Sequence, residues 1–204
     1  MSPFSRPALA AVALAALLVG CGGPGATAGG SADGGRPSAS SSSAPHTAGP
    51  VSAVGRSVPV RLRIPAIGVD TPVMRLGLAA DGTVQVPPIT AHDRAGWYEH
   101  SPTPGQTGPS VILGHVTVGA YGDGVFRHLK ELRRGGRIEA RLENGTAAEF
   151  TVTEVRTVAK DHFPSDEVYG NVDRPELRLI TCGGTFDQAR HSYRDNLVVY
   201  AVLQ

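Results

Sequence analysis

The hydrophobic pattern is most regular between residues 58 and 204, where short apolar runs alternate with polar residues and with glycine, proline and asparagine. Residues 58–64 alternate apolar and charged side chains and stop at Pro65, which is typical of a strand with one buried face. Shorter apolar runs at 71–76 and 83–86 indicate further strands. This pattern predicts a β-rich domain.

A β-hairpin is the clearest local prediction. Residues 137–142 and 147–158 both have the composition of strands, and Asn144-Gly145 lies between them. Asn-Gly supplies the positive φ angles of a tight turn, so these two strands should pair antiparallel.

Two more strands and two short helices complete the predicted elements. Residues 176–182 and 197–203 are predicted as the last two strands, whereas 125–132 favours about two helical turns and 165–169 about one. Roughly eight short strands with one or two helices indicate an all-β domain that is a closed barrel or a sandwich, since closure removes exposed strand edges.

The N-terminal part of the chain has a different composition. Of the 29 residues from 22 to 50, 26 are Gly, Ala, Ser, Thr or Pro, and such a segment buries too little apolar surface to offset its ordering entropy. We therefore predict a disordered linker at 22–57 and one folded domain at 58–204. That domain carries 16 basic and 17 acidic residues, so it lacks the positive field of a nucleic-acid binder.

Residues 1–21 have the pattern of an export signal. Arg6 precedes a 13-residue apolar run at 8–20, which is shorter than the roughly 20 residues of a membrane span. The run ends in Leu18-Val19-Gly20-Cys21, which resembles the lipobox of bacterial lipoproteins, so Cys21 is a candidate for lipidation. The alternatives are an ordinary secretory signal with an incidental cysteine and an uncleaved anchor. We expect an exported domain that is tethered to the outer face of the cell membrane.

Three residues carry the candidate chemistry of the domain. An apolar run ends in Gly114-His115, and the strand before Gly183-Gly184 ends in Cys182. Arg194 opens the final strand after a connection of 11 residues. If the last two strands are antiparallel neighbours, Cys182 and Arg194 lie at the same end of the pair, where directly paired Cα atoms are about 4.5–5.5 Å apart.

These residue types suit acyl transfer through a thioester. A histidine can stabilise a thiolate and later protonate a leaving amine, and an arginine offers several N–H donors to a tetrahedral oxyanion. Each residue also has a structural interpretation: a core cysteine, a buried hydrogen-bonded histidine and a surface arginine. The other histidines show no metal-ligand spacing, so we expect neither a metal nor another cofactor.

The sequence around these residues resembles the sortase family. The resemblance rests on Leu179-Ile180-Thr181-Cys182, on Leu113-Gly114-His115 and on the segment 192–200, with Ile64-Pro65 and Gly96-Trp97-Tyr98 also fitting. Gly183-Gly184 after the cysteine makes class F sortases of actinobacteria the most similar class. The resemblance covers about residues 58–204, nearly the whole domain.

This resemblance implies an eight-stranded sortase β-barrel and a defined reaction. Cys182 would cleave a Leu-Pro-x-Thr-Gly-like sorting signal between Thr and Gly and form a thioacyl enzyme. An amine, such as that of a peptidoglycan precursor, or water would then release the product. His115 would be the general acid and base, Arg194 would hold the carbonyl oxygen, and Thr181 would contact substrate. Arg178 replaces the first threonine of the common Thr-Leu-x-Thr-Cys motif, which bears on substrate preference.

Three other classes of protein share some of these features. L,D-transpeptidases place a histidine just before the nucleophile, where this chain has Ile180-Thr181, and papain-like peptidases place the cysteine before the histidine. A non-catalytic lipoprotein that binds an envelope partner on a sortase barrel is the other alternative. Retention of all three candidate residues argues against it.

Overall fold

The computed structural model describes residues 55–204. The predicted signal at 1–21, the lipidation candidate Cys21 and most of the predicted linker lie outside the described residues. The amide of Ser57, the last residue of the predicted linker, donates a hydrogen bond to the Thr103 hydroxyl at 3.3 Å. Among residues 55–204, none of the helices has the length and hydrophobicity that a membrane crossing requires.

Eight strands close into one barrel. They are β1 (Pro59–Ile64), β2 (Val69–Leu76), β3 (Ala95–Tyr98), β4 (Gly108–Leu113), β5 (Arg137–Leu142), β6 (Ala147–Ala159), β7 (Pro175–Asp187) and β8 (Ser192–Leu203). Their order around the barrel is β1-β2-β3-β4-β7-β8-β6-β5. Neighbours are antiparallel except β2 with β3 and β4 with β7. The predicted all-β, eight-stranded barrel is confirmed.

Helical structure is sparse. The α-helix α1 (Ser165–Tyr169) agrees with the single turn predicted there. The 3₁₀ turns are Pro65–Ile67, Ile89–Ala91, Gly119–Tyr121, Leu129–Glu131 and Lys160–His162. They lie in the connections between strands or at strand ends.

The strands β4 and β7 are buried on both faces. On β7, Leu177 and Leu179 belong to the interior core of the barrel, whereas Ile180 belongs to a second apolar cluster on the outer face. Val168 of α1 is completely buried in this outer cluster. All six residues of β4 are buried, which explains why Val111, Ile112 and Leu113 follow one another without polar alternation.

The predicted hairpin is present as β5 and β6. Gly145 adopts a φ of 84°, and its amide donates to the Leu142 carbonyl at 2.9 Å. The left-handed conformation favours glycine, so Asn144-Gly145 fixes the turn and thereby the register.

The helix predicted at 125–132 is wrong in type. The segment is a turn followed by the 3₁₀ turn Leu129–Glu131. Phe126, Leu129 and Leu132 are all buried in the barrel core, and their spacing of three residues matches the 3.0-residue period of a 3₁₀ helix. The spacing of the buried side chains therefore favours a 3₁₀ turn over an α-helix in this segment.

Two strand predictions also need correction, and one strand was not predicted. Residues 83–86 form only an isolated bridge, between Leu78 and Val84. The strand β3 was not predicted from the pattern, because residues 95–97 are all buried and show no alternation. The strands β7 and β8 extend toward each other to Asp187 and from Ser192, so only residues 188–191 connect them.

A buried ion pair lies on the outer face of β7. Arg178 is 3% exposed and forms a salt bridge with Glu176, and its guanidinium lies 4.5 Å from the centre of the Tyr200 ring. Burial alone would raise the pKa of Glu176, but hydrogen bonds from Arg174 and Arg178 outweigh it and hold that pKa below its ordinary value. Arg178, at the position where the resemblance predicts threonine, thus has a structural role.

We predict that Glu176→Gln destabilises the domain by about 3–5 kcal/mol at pH 7, because it leaves the buried Arg178 without a carboxylate. The folded pKa is depressed, so the contribution of Glu176 is complete above its unfolded value of about 4.3 and is lost as pH falls through the folded value. Urea unfolding of both proteins should show the difference at pH 7 and a narrowing gap below about pH 4.

Glu149→Gln is the matched control, since Glu149 forms an exposed pair with Arg137 and should contribute about 0–1 kcal/mol. A gap for Glu176→Gln that stays constant down to pH 3 would contradict the assignment.

Candidate active site

The three strands that carry the candidate residues are consecutive in the barrel. The strand β7 lies between β4 and β8 and pairs parallel with β4 and antiparallel with β8. Leu113 of β4 pairs with Ile180 of β7, and the Gly114 amide donates to the Ile180 carbonyl at 3.1 Å. His115 and Cys182 are each two residues beyond this pair, so both lie at the same rim of the barrel.

Strand periodicity places the candidate side chains on the outer face of the barrel. Leu113, Ile180 and Val198 belong to the outer apolar cluster. Side chains two residues apart along a strand share a face, so Cys182 extends the outer row of β7. Because β4 ends at Leu113, the same period carried through Gly114 places His115 on this side too.

His115 is held from one side by the connection between β2 and β3. Its Nε2 lies 2.6 Å from the Pro87 carbonyl oxygen. A carbonyl only accepts hydrogen bonds, so Nε2 carries the hydrogen and Nδ1 is the acceptor of the neutral ring. Pro87 is itself buried, which fixes the position of this contact.

Two glycines allow the close packing around His115. A Cβ at Gly114 would lie 2.6 Å from a Phe126 carbon, and a Cβ at Gly124 would lie 2.3 Å from the His115 carbonyl oxygen. The Phe126 amide donates to that same carbonyl at 2.8 Å. The backbone of His115 is therefore locked against the segment 124–126.

Cys182 is the cysteine of the described part of the chain and is a half-buried, unpaired thiol there. Its Sγ lies 3.8 Å from Lys160 Nζ. A cavity of about 170 Å³ begins at the thiol and is lined by residues of β7, β8 and the segment after β4. Thr181 lines it as well and is 4% exposed, and its Oγ1 has no hydrogen-bond partner among residues 55–204.

The β7–β8 pair is irregular just past the thiol. Cys182 pairs with Asn196 and Gly183 with Asp195, after which the register shifts and Phe186 pairs with Tyr193. The expectation that Cys182 and Arg194 could be directly opposite is therefore corrected by the register. Gly184 has a φ of 71°, and a Cβ there would lie 1.8 Å from an Asp195 carboxylate oxygen. Glycine at 184 is thus required by both conformation and space.

Arg194 lies at the same end of β8 but is bound to another partner. Its side chain is 66% exposed and donates to the Asp187 carboxylate at 3.3 Å. Backbone amides of Arg190 and Ala189, together with Arg194, hold the pKa of Asp187 below its ordinary value. Asp187 and Arg194 line an open cavity of about 620 Å³, which Lys160 also lines.

A hydrogen bond links the strands on either side of β7. Thr117 Oγ1 lies 2.9 Å from the Tyr193 hydroxyl. Thr117 is two residues after His115, and Tyr193 immediately precedes Arg194. Tyr193 also packs edge-on against Phe186. This link joins the segments of His115 and Arg194 across the strand of Cys182.

The structure brings the predicted residues to one rim and adds neighbours that the pattern did not single out. The four predicted residues lie on or just beyond three adjacent strands: His115, Cys182, Thr181 and Arg194. His115 contacts Pro87, Cys182 contacts Lys160 and Arg194 contacts Asp187. Lys160 was missed because nothing in its local sequence marks it. Within residues 55–204 there is no cluster of three or more metal-ligating side chains.

A half-buried thiol on the central strand of three, with a histidine and an arginine on the segments to either side of it, defines a candidate cysteine acyl-transfer enzyme on a closed eight-stranded barrel. The family model described as "Sortase domain" matches residues 62–204. The chain belongs to the sortase family, which consists of cysteine transpeptidases. A search of curated proteins found no match.

Solved structures of several sortases share the fold. The chain is 22% identical to sortase D5 transpeptidase from Clostridium perfringens, covering 72% of this chain and 79% of that one with a TM-score of 0.53. The chain is 22% identical to sortase C-1 from Actinomyces oris, covering 72% of this chain and 74% of that one with a TM-score of 0.55. It is 24% identical to the SrtA sortase from Actinomyces oris, covering 74% of this chain and 81% of that one with a TM-score of 0.54.

Proposed function

We propose that this sortase acts outside the cell membrane on surface proteins that end in a Leu-Pro-x-Thr-Gly-like sorting signal, with Cys182 as its nucleophile. One observation carries the proposal. The thiol of Cys182 stands at a cavity on the central strand of three, and the neighbouring strands bring His115 and Arg194 to the same rim. A single site can then attack a carbonyl, stabilise its oxyanion and protonate the leaving group.

The first half-reaction follows from this arrangement. Cys182 Sγ attacks the threonine carbonyl carbon as the thiolate, its proton having passed to solvent. His115 takes up a proton from solvent at Nδ1 and donates it to the leaving amine as the C–N bond to glycine breaks. Nδ1 is the nitrogen available for this step because Nε2 is bonded to the Pro87 carbonyl. The product is a thioacyl enzyme and a free glycyl peptide.

The second half-reaction reverses the proton transfer. An amine acceptor, such as that of a peptidoglycan precursor, attacks the thioester carbon, and Nδ1 of His115 takes its proton. The C–S bond breaks and Cys182 is regenerated, with water as the slower alternative acceptor. Arg194 serves both halves by leaving the Asp187 carboxylate for the substrate carbonyl oxygen.

Class F is the most similar sortase class in our proposal. The support is the sequence around the thiol, with Ile180 before Thr181-Cys182 and Gly183-Gly184 after it. Thr181 is proposed to contact substrate, since it lines the cavity beside the thiol and its Oγ1 has no partner among the described residues.

The first prediction concerns covalent chemistry. The full chain carrying Cys21→Ser, which keeps Cys182 as its single cysteine, should cleave a Leu-Pro-x-Thr-Gly reporter peptide. It should also form a thioester adduct that intact-mass spectrometry detects. Adding Cys182→Ala should abolish both. Binding of the peptides without adduct or cleavage, across a library of such signals, would favour the binding-module alternative.

The second prediction concerns oxyanion stabilisation. Arg194→Ala should lower kcat about 10²–10³-fold, because one donor to the developing oxyanion is lost. Steady-state kinetics on the reporter peptide would measure it. Arg75→Ala is the control, since Arg75 is an exposed arginine on β2. If Arg194→Ala raised KM with kcat unchanged, the arginine would bind substrate without stabilising the transition state.

The third prediction concerns the membrane tether, which we propose is a lipid on Cys21 at the end of the linker 22–57. In cells fed a fatty-acid probe, the full chain should become labelled and Cys21→Ser should not. The lipobox resemblance of Leu18-Val19-Gly20-Cys21 supports this proposal. Equal labelling of the two proteins would exclude Cys21 as the lipid site, whereas no labelling of either would favour the uncleaved anchor.

A further inference from the structure

Lys160 lies beside the thiol of Cys182 although it belongs to the 3₁₀ turn after β6, a strand that does not pair with β7. The last residue of β6, Ala159, pairs with Asp195 of β8. Cys182 in turn pairs with Asn196 of β8. Lys160 therefore reaches the thiol across β8, and its Nζ lies 3.8 Å from Sγ.

A second contact holds the lysine in place. Lys160 Nζ donates a hydrogen bond to Ser192 Oγ at 3.1 Å, and Ser192 is the first residue of β8. The ammonium is thus held between the beginning of β8 and the sulfur. A long flexible side chain with two polar contacts is better ordered than one that extends into solvent.

The other cationic candidates are bound elsewhere. Arg194 donates to the Asp187 carboxylate, and the imidazole of His115 is hydrogen-bonded to the Pro87 carbonyl. In the part of the chain that the structure describes, Lys160 is the cation within hydrogen-bonding distance of the sulfur. The resting thiol therefore has a lysine for its nearest positive charge.

We propose that Lys160 is a further residue of this site, whose ammonium stabilises the thiolate of Cys182 before substrate binds. The proposal rests on the proposed function only in taking Cys182 as the nucleophile. The thiol proton passes to solvent and the ammonium remains protonated, so the step balances without another reactant. A thiolate is the nucleophilic form of cysteine, and an exposed cation 4 Å away changes its population about three- to tenfold.

Other charged groups face this region and set the background for any pH dependence. They are Arg127 and Lys130 at the cavity beside the thiol, Asp187 on β7, Arg194 and Asp195 on β8, Arg190 in the β7–β8 connection and Asp161 next to the lysine. Only a change measured against a variant of Lys160 itself isolates its contribution.

Alkylation of the thiol by iodoacetamide tests the proposal without any peptide substrate. In this reaction the thiolate sulfur displaces iodide and forms a C–S bond, so the rate follows the thiolate population. In the full chain with Cys21→Ser, Lys160→Met should lower the rate at pH 7 about three- to tenfold and move the midpoint of the pH–rate profile upward. Lys160→Arg should restore most of the rate.

Arg75→Met is the matched control, because Arg75 is an exposed cation on β2 that lines neither cavity. It should leave the alkylation profile close to that of the parent. An unchanged profile for Lys160→Met, or an equal loss for Arg75→Met, would overturn the proposal. Lys160→Gln provides a second neutral variant, and circular dichroism verifies the fold of each protein.

The outcome is separable from that of the proposed function. If Lys160→Met lowers the alkylation rate as expected but the parent protein forms no peptide adduct, this inference stands and the proposed sorting activity is wrong. If the parent forms the peptide adduct but Lys160→Met leaves the alkylation rate unchanged, the proposed function stands and this inference is wrong. If Lys160→Met raised only KM for the peptide, the lysine would bind substrate, and its role toward the thiolate would be wrong.

Discussion

The parallel pairing of β4 with β7 is the constraint on which the site depends. It runs without interruption from Gly108 opposite Pro175 to Leu113 opposite Ile180. Both strands are buried on two faces, so a slip of one residue would move apolar side chains off their clusters and is strongly disfavoured. The register of the buried side chains on β4 and β7 therefore determines that His115 and Cys182 both lie two residues beyond the last pair, at the same rim of the barrel.

The other neighbour of β7 behaves differently. The β7–β8 pair is regular through the core and becomes irregular only after Gly183, where glycine conformation and the Asp195 side chain take over. Rigid pairing thus positions the thiol, whereas the arginine sits on a stretch with its own alternative contact, the Asp187 carboxylate. In the proposed mechanism this less constrained stretch lets Arg194 exchange the Asp187 carboxylate for the substrate carbonyl oxygen.

Local patterns predicted much of this molecule and long-range contacts explain the rest. The Asn144-Gly145 hairpin, the α1 turn and the end of β4 before His115 could be predicted, because each signal lies within a few residues. The end predicted for β7 at Cys182 was wrong, since the strand continues to Asp187. The strand β3 could not, since burial on both faces removes alternation. The position of Lys160 beside the thiol depends on pairing between β6 and β8, which the local sequence does not encode.

The bond between His115 and Pro87 has a consequence for sequence change. Its acceptor is a main-chain oxygen in a Pro87-Pro88 pair, where ring closure restricts the backbone. Substituting a neighbouring side chain leaves that oxygen in place, and the flanking Val86 and Ile89 are more than half exposed. The outer surface of this loop can therefore diversify, for instance toward new partners, while the protonated nitrogen of the histidine stays the same.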